Sequence, residues 1–128
     1  MASRGVIYLV DSDPSVRDGI SRFLHTVGYS VHVFESLKDL LRWREPLENG
    51  CLMLEINTEG LSTSNMSASL SGDFFKLPIV FLSADMNPKT REQARPSRAS
   101  AYFHKPIDGP ALVDAIEWAI LSNENAYG

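Results

Sequence analysis

Five short apolar runs divide the chain, and they limit the folds that it can adopt. They are Val6–Val10, Ser30–Phe34, Cys51–Leu54, Pro78–Leu82 and Ala101–Phe103. Because the runs are continuously apolar more than alternating, they predict strands that are buried on both faces, as in a parallel sheet. Segments with helical spacing separate them. The alternation predicts an α/β fold: a doubly wound, five-stranded parallel sheet with right-handed crossovers.

Three of the segments that follow the runs carry clear helix signals. Pro14 suits the first turn of a helix that Asp13 can cap and Gly28 can end. Ser36 is a candidate cap for a second, shorter helix. The last helix has one apolar stripe, formed by Leu112, Ile116, Ala119 and Ile120.

The third and fourth helices are predicted to be short or distorted. Residues 61–72 are rich in serine, a poorer helix former than alanine or leucine, and Pro96 should end any helix that begins near Pro88. The sequence has no repeat and no long linker. We therefore expect one domain over residues 1–128, with its core over about 4–122 and a polar tail at 123–128.

The composition excludes several classes of protein. Hydrophobic residues make up 44% of the chain and the net charge is −4, so nothing in the overall charge attracts nucleic acid. No apolar run approaches the roughly 20 residues that span a bilayer, and Asp11 interrupts the first run too early for a signal peptide. The single cysteine, Cys51, excludes an internal disulfide. These features predict a cytoplasmic protein without membrane or direct nucleic-acid contacts.

Polar side chains follow four of the predicted strands. They are Asp11, Ser12 and Asp13 after the first, Glu55 after the third, Ser83 after the fourth and Lys105 after the fifth. In such sheets the ligand site lies beyond the carboxyl ends of the strands. Carboxylates hold Mg²⁺, and a hydroxyl and an ammonium cradle phosphate oxygens, so the set predicts a pocket for a divalent cation or a phosphoryl group. The alternative is that these strand ends are polar simply because they reach water.

Three stretches resemble one family. VIYLVDSDPSVRDGI, LPIVFLSA and AYFHKPID are similar to the first, fourth and fifth strands, with their polar ends, of receiver domains of two-component response regulators. The chain resembles most the subgroup that precedes helix-turn-helix output domains. This resemblance implies a flavodoxin-like sheet of order 2-1-3-4-5. It also implies a chemistry in which an aspartate after the third strand takes a phosphoryl group from a histidine kinase, with Mg²⁺.

The sequence departs from the family pattern at three positions. Glu55 stands where the family has its phosphoacceptor aspartate, Ser12 replaces the second acidic residue after the first strand, and Glu59 replaces a proline, whereas Ser83 and Lys105 match. The extra methylene of glutamate moves the carboxylate by about 1.5 Å. Displacements near 1 Å can cost in-line transfer about 10²-fold. We therefore expect phosphorylation at position 55 to be absent or very slow.

Two interpretations of Glu55 stay open. Its carboxylate can reach toward Lys105 and Ser83 as a partial mimic of a phosphorylated state, or it can form a fixed salt bridge with Lys105. The resemblance leaves room for weak Mg²⁺ binding at Asp11, Glu55 and Asn57, and no other cofactor is expected.

The function expected from these residues is that of an atypical receiver, not an enzyme. It would act in transcription regulation through contacts with a protein partner, an output domain or a histidine kinase. The face of the fourth helix, fifth strand and fifth helix is the expected contact surface, which can also form a homodimer. Tyr102 holds the family's switch-aromatic position and is either a switch or a fixed core residue.

Two other functions compete with this one. The first is a working phosphoacceptor receiver in a histidine-kinase phosphorelay. The second is a flavin carrier on the same fold, which the acidic loop DSDPSV disfavours because it would repel a bound phosphate.

Overall fold

The computed structural model describes residues 4–55, 76–83 and 99–127. Its strands are β1 (Val6–Val10), β2 (Ser30–Phe34), β3 (Gly50–Glu55), β4 (Ile79–Ser83) and β5 (Ala99–His104). Its helices within those ranges are α1 (Pro14–Thr26), α2 (Leu37–Leu41) and α3 (Gly109–Tyr127), the last being the fifth helix predicted from the sequence. The predicted third and fourth helices lie outside the described residues.

The five strands form one parallel sheet in the order β2-β1-β3-β4-β5. The sequence-based expectation of a flavodoxin-like sheet of order 2-1-3-4-5 is confirmed. Residue Val10 at the end of β1 pairs in register with Leu54 of β3. The residues that directly follow them, Asp11 and Glu55, are therefore neighbours at the carboxyl edge of the sheet.

The prediction that all five strands are buried on both faces is wrong for β2. All five side chains of β1 and of β4 are buried, whereas those of β2 are exposed or partly exposed, and Val33 is 47% exposed. The reason is topological, since β2 lies at one edge of the sheet and the other edge strand, β5, is also only partly buried over 101–104. An apolar run does not reveal whether its strand is central or peripheral.

The sheet separates two apolar layers. One layer packs with α2 and contains Tyr8, Leu52 and Phe81; the other packs with α1 and α3 and contains Leu9 and Met53. Each such fully buried side chain contributes about 1.5 to 3 kcal/mol relative to exposure. These two layers hold the carboxyl edges of β1, β3 and β4 rigidly in line.

An aromatic cluster fills the layer on the α2 side. The Tyr8 and His32 rings are stacked with centroids 5.6 Å apart, and the Trp43 ring lies 5.9 Å from Tyr8 and 4.7 Å from His32. The Tyr8 hydroxyl accepts a hydrogen bond from the Glu48 backbone N–H at 3.0 Å. The buried phenol therefore has a partner, as buried polar groups require.

The predicted helix caps of α1 and α2 are confirmed. Asp13 Oδ1 accepts a hydrogen bond from the Ser15 N–H at 2.9 Å, and Pro14 opens the first turn. Gly28, at φ +101°, follows the end of α1 in the left-handed conformation that suits glycine. The Ser36 hydroxyl accepts from the Asp39 N–H at 3.2 Å at the start of α2.

The last helix is longer than its apolar stripe suggested. α3 continues through Tyr127, beyond the core limit expected near residue 122, so most of the predicted polar tail has a helical backbone. No helix in the described parts of the chain is long and apolar enough to cross a membrane.

Candidate functional site at the carboxyl edge of the sheet

Three ionisable side chains meet at the carboxyl edge of the sheet. The Lys105 ammonium lies 2.7 Å from Asp11 Oδ2 and 2.7 Å from Glu55 Oε2. The three side chains are largely shielded from water, with exposed fractions of 14% for Lys105, 0% for Asp11 and 16% for Glu55. We call Asp11, Glu55 and Lys105 the lysine–carboxylate triad.

Ser12 fixes the second oxygen of the Glu55 carboxylate. The Ser12 hydroxyl donates to Glu55 Oε1 at 2.7 Å, and the Ser12 backbone N–H donates to the same oxygen at 3.1 Å. Glu55 therefore has Ser12 on one oxygen and Lys105 on the other. The two residues that depart from the family pattern in this pocket contact each other directly.

Asp11 is held by its own loop as well as by Lys105. Asp11 Oδ1 accepts from the Asp13 backbone N–H at 2.9 Å, and the Asp11 carbonyl accepts from Arg17 Nη1 at 2.7 Å. The Asp13 side chain is not part of the triad, because it caps α1 through Ser15. The acidic loop therefore supplies one buried carboxylate to the pocket and one exposed cap.

The environment of the triad shifts all three pKa values. Burial alone would raise the pKa of Glu55, but hydrogen bonds from Lys105 and Ser12 outweigh it and lower the pKa to about 2. Burial raises the pKa of Asp11, an effect that Lys105 and the Asp13 N–H only partly offset. Burial tends to lower the pKa of Lys105, but its bonds to Asp11 and Glu55 raise it overall. Near neutral pH, Glu55 is thus held as a carboxylate and Lys105 as an ammonium.

Ser83 and Tyr102, two further predicted residues of the site, lie on the neighbouring strands β4 and β5. Ser83 is buried at the end of β4, and its carbonyl accepts a hydrogen bond from the Lys105 backbone N–H at 2.9 Å. The Tyr102 ring packs against the core layer on the α2 side, and its hydroxyl has no hydrogen-bond partner among the residues that the structure describes. Asn57 and Glu59 lie outside the described residues.

A groove of about 500 Å³ lies beside the triad, between α1 and the start of α3. Its walls are mostly apolar and include Ile20, Phe23 and Leu112. Lys105 carries the only ionisable side chain among the described residues that line it, and that ammonium is already paired. The part of the groove that the structure describes is therefore mostly apolar and contains no unpaired acid or base.

Sequence reasoning named the members of the triad and Ser12, but it missed Arg17 and the contact by which Ser12 holds Glu55. The bonds from Ser12 to Glu55 and from Arg17 to the Asp11 carbonyl were not predicted. The register of β1 against β3 would have given the first, since it sets residue 11 beside residue 55. Nothing in the sequence pattern distinguishes the partly buried Arg17 from Arg22, the exposed arginine of the same helix.

Comparison with known proteins agrees with this geometry. Residues 7–117 match the family model of the response regulator receiver domain. The chain belongs to this family. The transcriptional regulatory protein TdiR of Thauera aromatica is 33% identical over 117 residues, which cover 91% of this chain and 52% of TdiR.

Solved receiver domains have the same fold. Full-length FixJ from B. japonicum superposes with a TM-score of 0.77 at 25% identity, covering 98% of this chain and 62% of FixJ. A CheY-like receiver domain protein from Methanospirillum hungatei JF-1 gives a TM-score of 0.81 at 16% identity, over 98% of this chain and 99% of that one, which shows the fold alone.

The receiver domain spans about half the length of the curated relatives it matches. It is a receiver domain of a two-component response regulator, related to those of transcriptional regulators. It is a non-enzymatic signalling module, and receiver domains of this family act with histidine kinases and output domains.

Proposed function

We propose that this receiver domain does not take up a phosphoryl group at position 55 and signals through protein contacts in transcription regulation. The observation that carries the proposal is that both Glu55 oxygens are engaged, one by Ser12 and the other by Lys105. An acceptor carboxylate must present an oxygen in line with the leaving group. Glu55 would have to break one of these contacts to do so.

The electrostatics of the pocket act in the same direction. The hydrogen bonds from Lys105 and Ser12 that lower the pKa of Glu55 to about 2 also withdraw electron density from its carboxylate, which makes it a weaker base and nucleophile. The triad holds two carboxylates against one ammonium. Phosphorylation would replace the single negative charge of Glu55 by the roughly 1.5 to 2 negative charges of a phosphoryl group, which makes the pocket still more negative.

Of the two interpretations of Glu55, the structural salt bridge is the one that we propose. Its support is the Ser12 hydroxyl, which holds Oε1 at 2.7 Å while Oε2 pairs with Lys105. A carboxylate tied to the first loop in this way serves to fasten β1, β3 and β5 together at their carboxyl ends.

We propose the outer surface of α3, with β5 and the predicted fourth helix, as the contact face for an output partner or a second copy. Trp118 is 61% exposed and Leu121 is 60% exposed, one turn apart on α3. Neighbouring Glu117 pairs with Arg4, which turns that side of the helix toward the domain. Large exposed apolar side chains that lie together are typical of protein–protein contact sites.

We also propose a cytoplasmic location. Cys51 is a buried free thiol, which suits a reducing compartment. Because this receiver spans only 52% of TdiR, the partner can be a domain of the same polypeptide or a separate protein.

The proposal is tested by incubating the domain with acetyl phosphate or a histidine kinase and measuring its intact mass. We expect no phosphate adduct on the wild-type chain. The Ser12→Asp/Glu55→Asp double variant is the matched comparison, because it restores both carboxylates of the family pattern and should gain an adduct. A wild-type adduct that disappears in Glu55→Ala would show that position 55 is a working acceptor.

One observation favours that alternative, a functional phosphoacceptor in a phosphorelay. Ser83 and Lys105 occupy the strand ends that the family uses to contact the phosphoryl group. The same mass measurement decides between the two functions.

A further inference from the structure

Magnesium, which the family chemistry implies, does not fit the residues that the structure describes. Mg²⁺ requires near-octahedral coordination by oxygen atoms at about 2.0 to 2.1 Å. Among the described residues there is no group of three histidine, cysteine or acidic side chains that could hold a metal ion. Among the described residues, Asp11 and Glu55 are the carboxylates of the pocket, and Ser12 stands where the family has another.

Of the four oxygens of Asp11 and Glu55, three accept hydrogen bonds, whereas the buried Asp11 Oδ2 has no hydrogen bond among the described residues and is balanced by the charge of Lys105 alone. Asp11 Oδ1 accepts from the Asp13 N–H and Glu55 Oε1 accepts from Ser12. Asp11 Oδ2 and Glu55 Oε2 both lie 2.7 Å from the Lys105 ammonium. A metal ion that bridged the two carboxylates would have to replace this ammonium.

We propose that the Lys105 ammonium is the resident cation of this receiver domain and stands in place of a divalent metal. The ammonium meets one oxygen of each carboxylate, at 2.7 Å in both cases. Ser12 supports the arrangement, because its two bonds to Oε1 leave Oε2 facing Lys105. Asp11 is equally fixed by the Asp13 N–H.

The charge balance supports a pocket that does not need a metal. The carboxylates of Asp11 and Glu55 repel each other unless a cation lies between them. A fully buried carboxylate such as Asp11 also needs a partner to stay ionised. Lys105 supplies that cation as part of the polypeptide. The pocket therefore does not have to bind an ion from solution and remove its water shell. The inference goes beyond the proposed function, since it concerns what occupies the pocket whether or not position 55 accepts phosphate.

Removing the ammonium tests the idea. In Lys105→Gln the two carboxylates lose their shared cation, so the fold should be destabilised and should then respond to added Mg²⁺. We expect about 10 mM MgCl₂ to raise the melting temperature of this variant by about 3 to 6 °C, and that of the wild type by less than about 1 °C. NaCl at equal ionic strength is the reference. Lys38→Gln, which removes an exposed ammonium on α2, is the matched control and should behave like the wild type.

Two results would overturn the inference. One is a wild-type melting temperature that rises with Mg²⁺, and the other is a Lys105→Gln variant that Mg²⁺ fails to stabilise. If the variant does not fold, Mn²⁺ titration of the wild type decides. In NMR spectra, amide signals of Ser12 and Asp13 that Mn²⁺ leaves unbroadened would support the resident ammonium. Selective broadening of these two signals by Mn²⁺ would refute it. No phosphodonor is present, so these outcomes are independent of the test of phosphorylation.

Discussion

The carboxyl edge of the sheet and the outer face of α3 differ in how far their side chains are paired and shielded from water. At the sheet edge, Asp11, Glu55 and Lys105 are shielded from water and pair with one another. On α3, Trp118 and Leu121 are each exposed by 60% or more. At the sheet edge, where receiver domains carry out their chemistry, the charged groups of this protein are paired with one another. The surface of α3 has large apolar side chains that a partner can contact. The difference supports the proposal that this domain signals by contact and not by phosphoryl transfer.

The largest effect is expected from breaking the buried triad. Asp11→Ala leaves Lys105 with one carboxylate and the Asp13 N–H without its acceptor. Removing one partner of a buried ion pair destabilises a fold by about 3 to 5 kcal/mol. Because Glu55 remains as a partner of Lys105, we expect Asp11→Ala to lower the free energy of unfolding by about 2 to 3 kcal/mol. Urea denaturation measures the change in the free energy of unfolding.

An exposed ion pair in the same protein provides the control. Asp18 pairs with Arg22 at 3.3 Å on the surface of α1, with both side chains more than half exposed. Asp18→Ala should cost less than about 0.5 kcal/mol, as exposed pairs do. Equal losses from the two substitutions would contradict the contrast between a locked sheet edge and a solvated surface.

A smaller effect is expected from acid. The pKa of Glu55 falls from 4.5 to about 2 on folding, so its stabilising contribution is complete above about pH 5 and is lost as the pH falls toward 2. Asp11, whose pKa is raised on folding, acts in the opposite direction, and comparison with Glu55→Gln separates the two. The stability difference between wild type and Glu55→Gln should be constant above about pH 5 and shrink at lower pH. A difference that stays constant down to about pH 3 would exclude this role of Glu55.

The smallest effect on stability is expected at the exposed face. Trp118 is 61% exposed, so Trp118→Ala should change the free energy of unfolding by less than about 0.5 kcal/mol. Sedimentation velocity should at the same time show weaker self-association than in the wild type. A stability loss as large as that of Asp11→Ala would mean that Trp118 belongs to the core, and the comparison of the two regions would fail.

The sequence was sufficient for most of the fold. Continuous apolar runs located all five strands within one or two residues of their ends, and Asp13, Pro14 and Ser36 marked the starts of two helices correctly. These signals are local, since a strand or a cap depends on a few consecutive residues. The strand ends also named the three members of the triad, because parallel strands bring their carboxyl ends to one edge.

The remaining features depend on partners far apart in the chain. The exposure of β2 follows from its edge position, which the run Ser30–Phe34 does not encode. The contact of Ser12 with Glu55 joins residues 43 positions apart and depends on strand register and a side-chain rotamer. From the sequence alone, serine at position 12 indicates only that a carboxylate is missing. In the structure, its hydroxyl and backbone N–H both donate to Glu55.

The two tryptophans give the domain two optical reporters in unlike surroundings. The indole of Trp43 packs against Tyr8 and His32 in the layer next to α2, while Trp118 is exposed to solvent on α3. Intrinsic fluorescence therefore contains a water-exposed component and a shielded one that the neighbouring rings can quench. In Trp118→Phe, the remaining emission would come from Trp43. It would report the packing of α2 against the sheet without any attached dye.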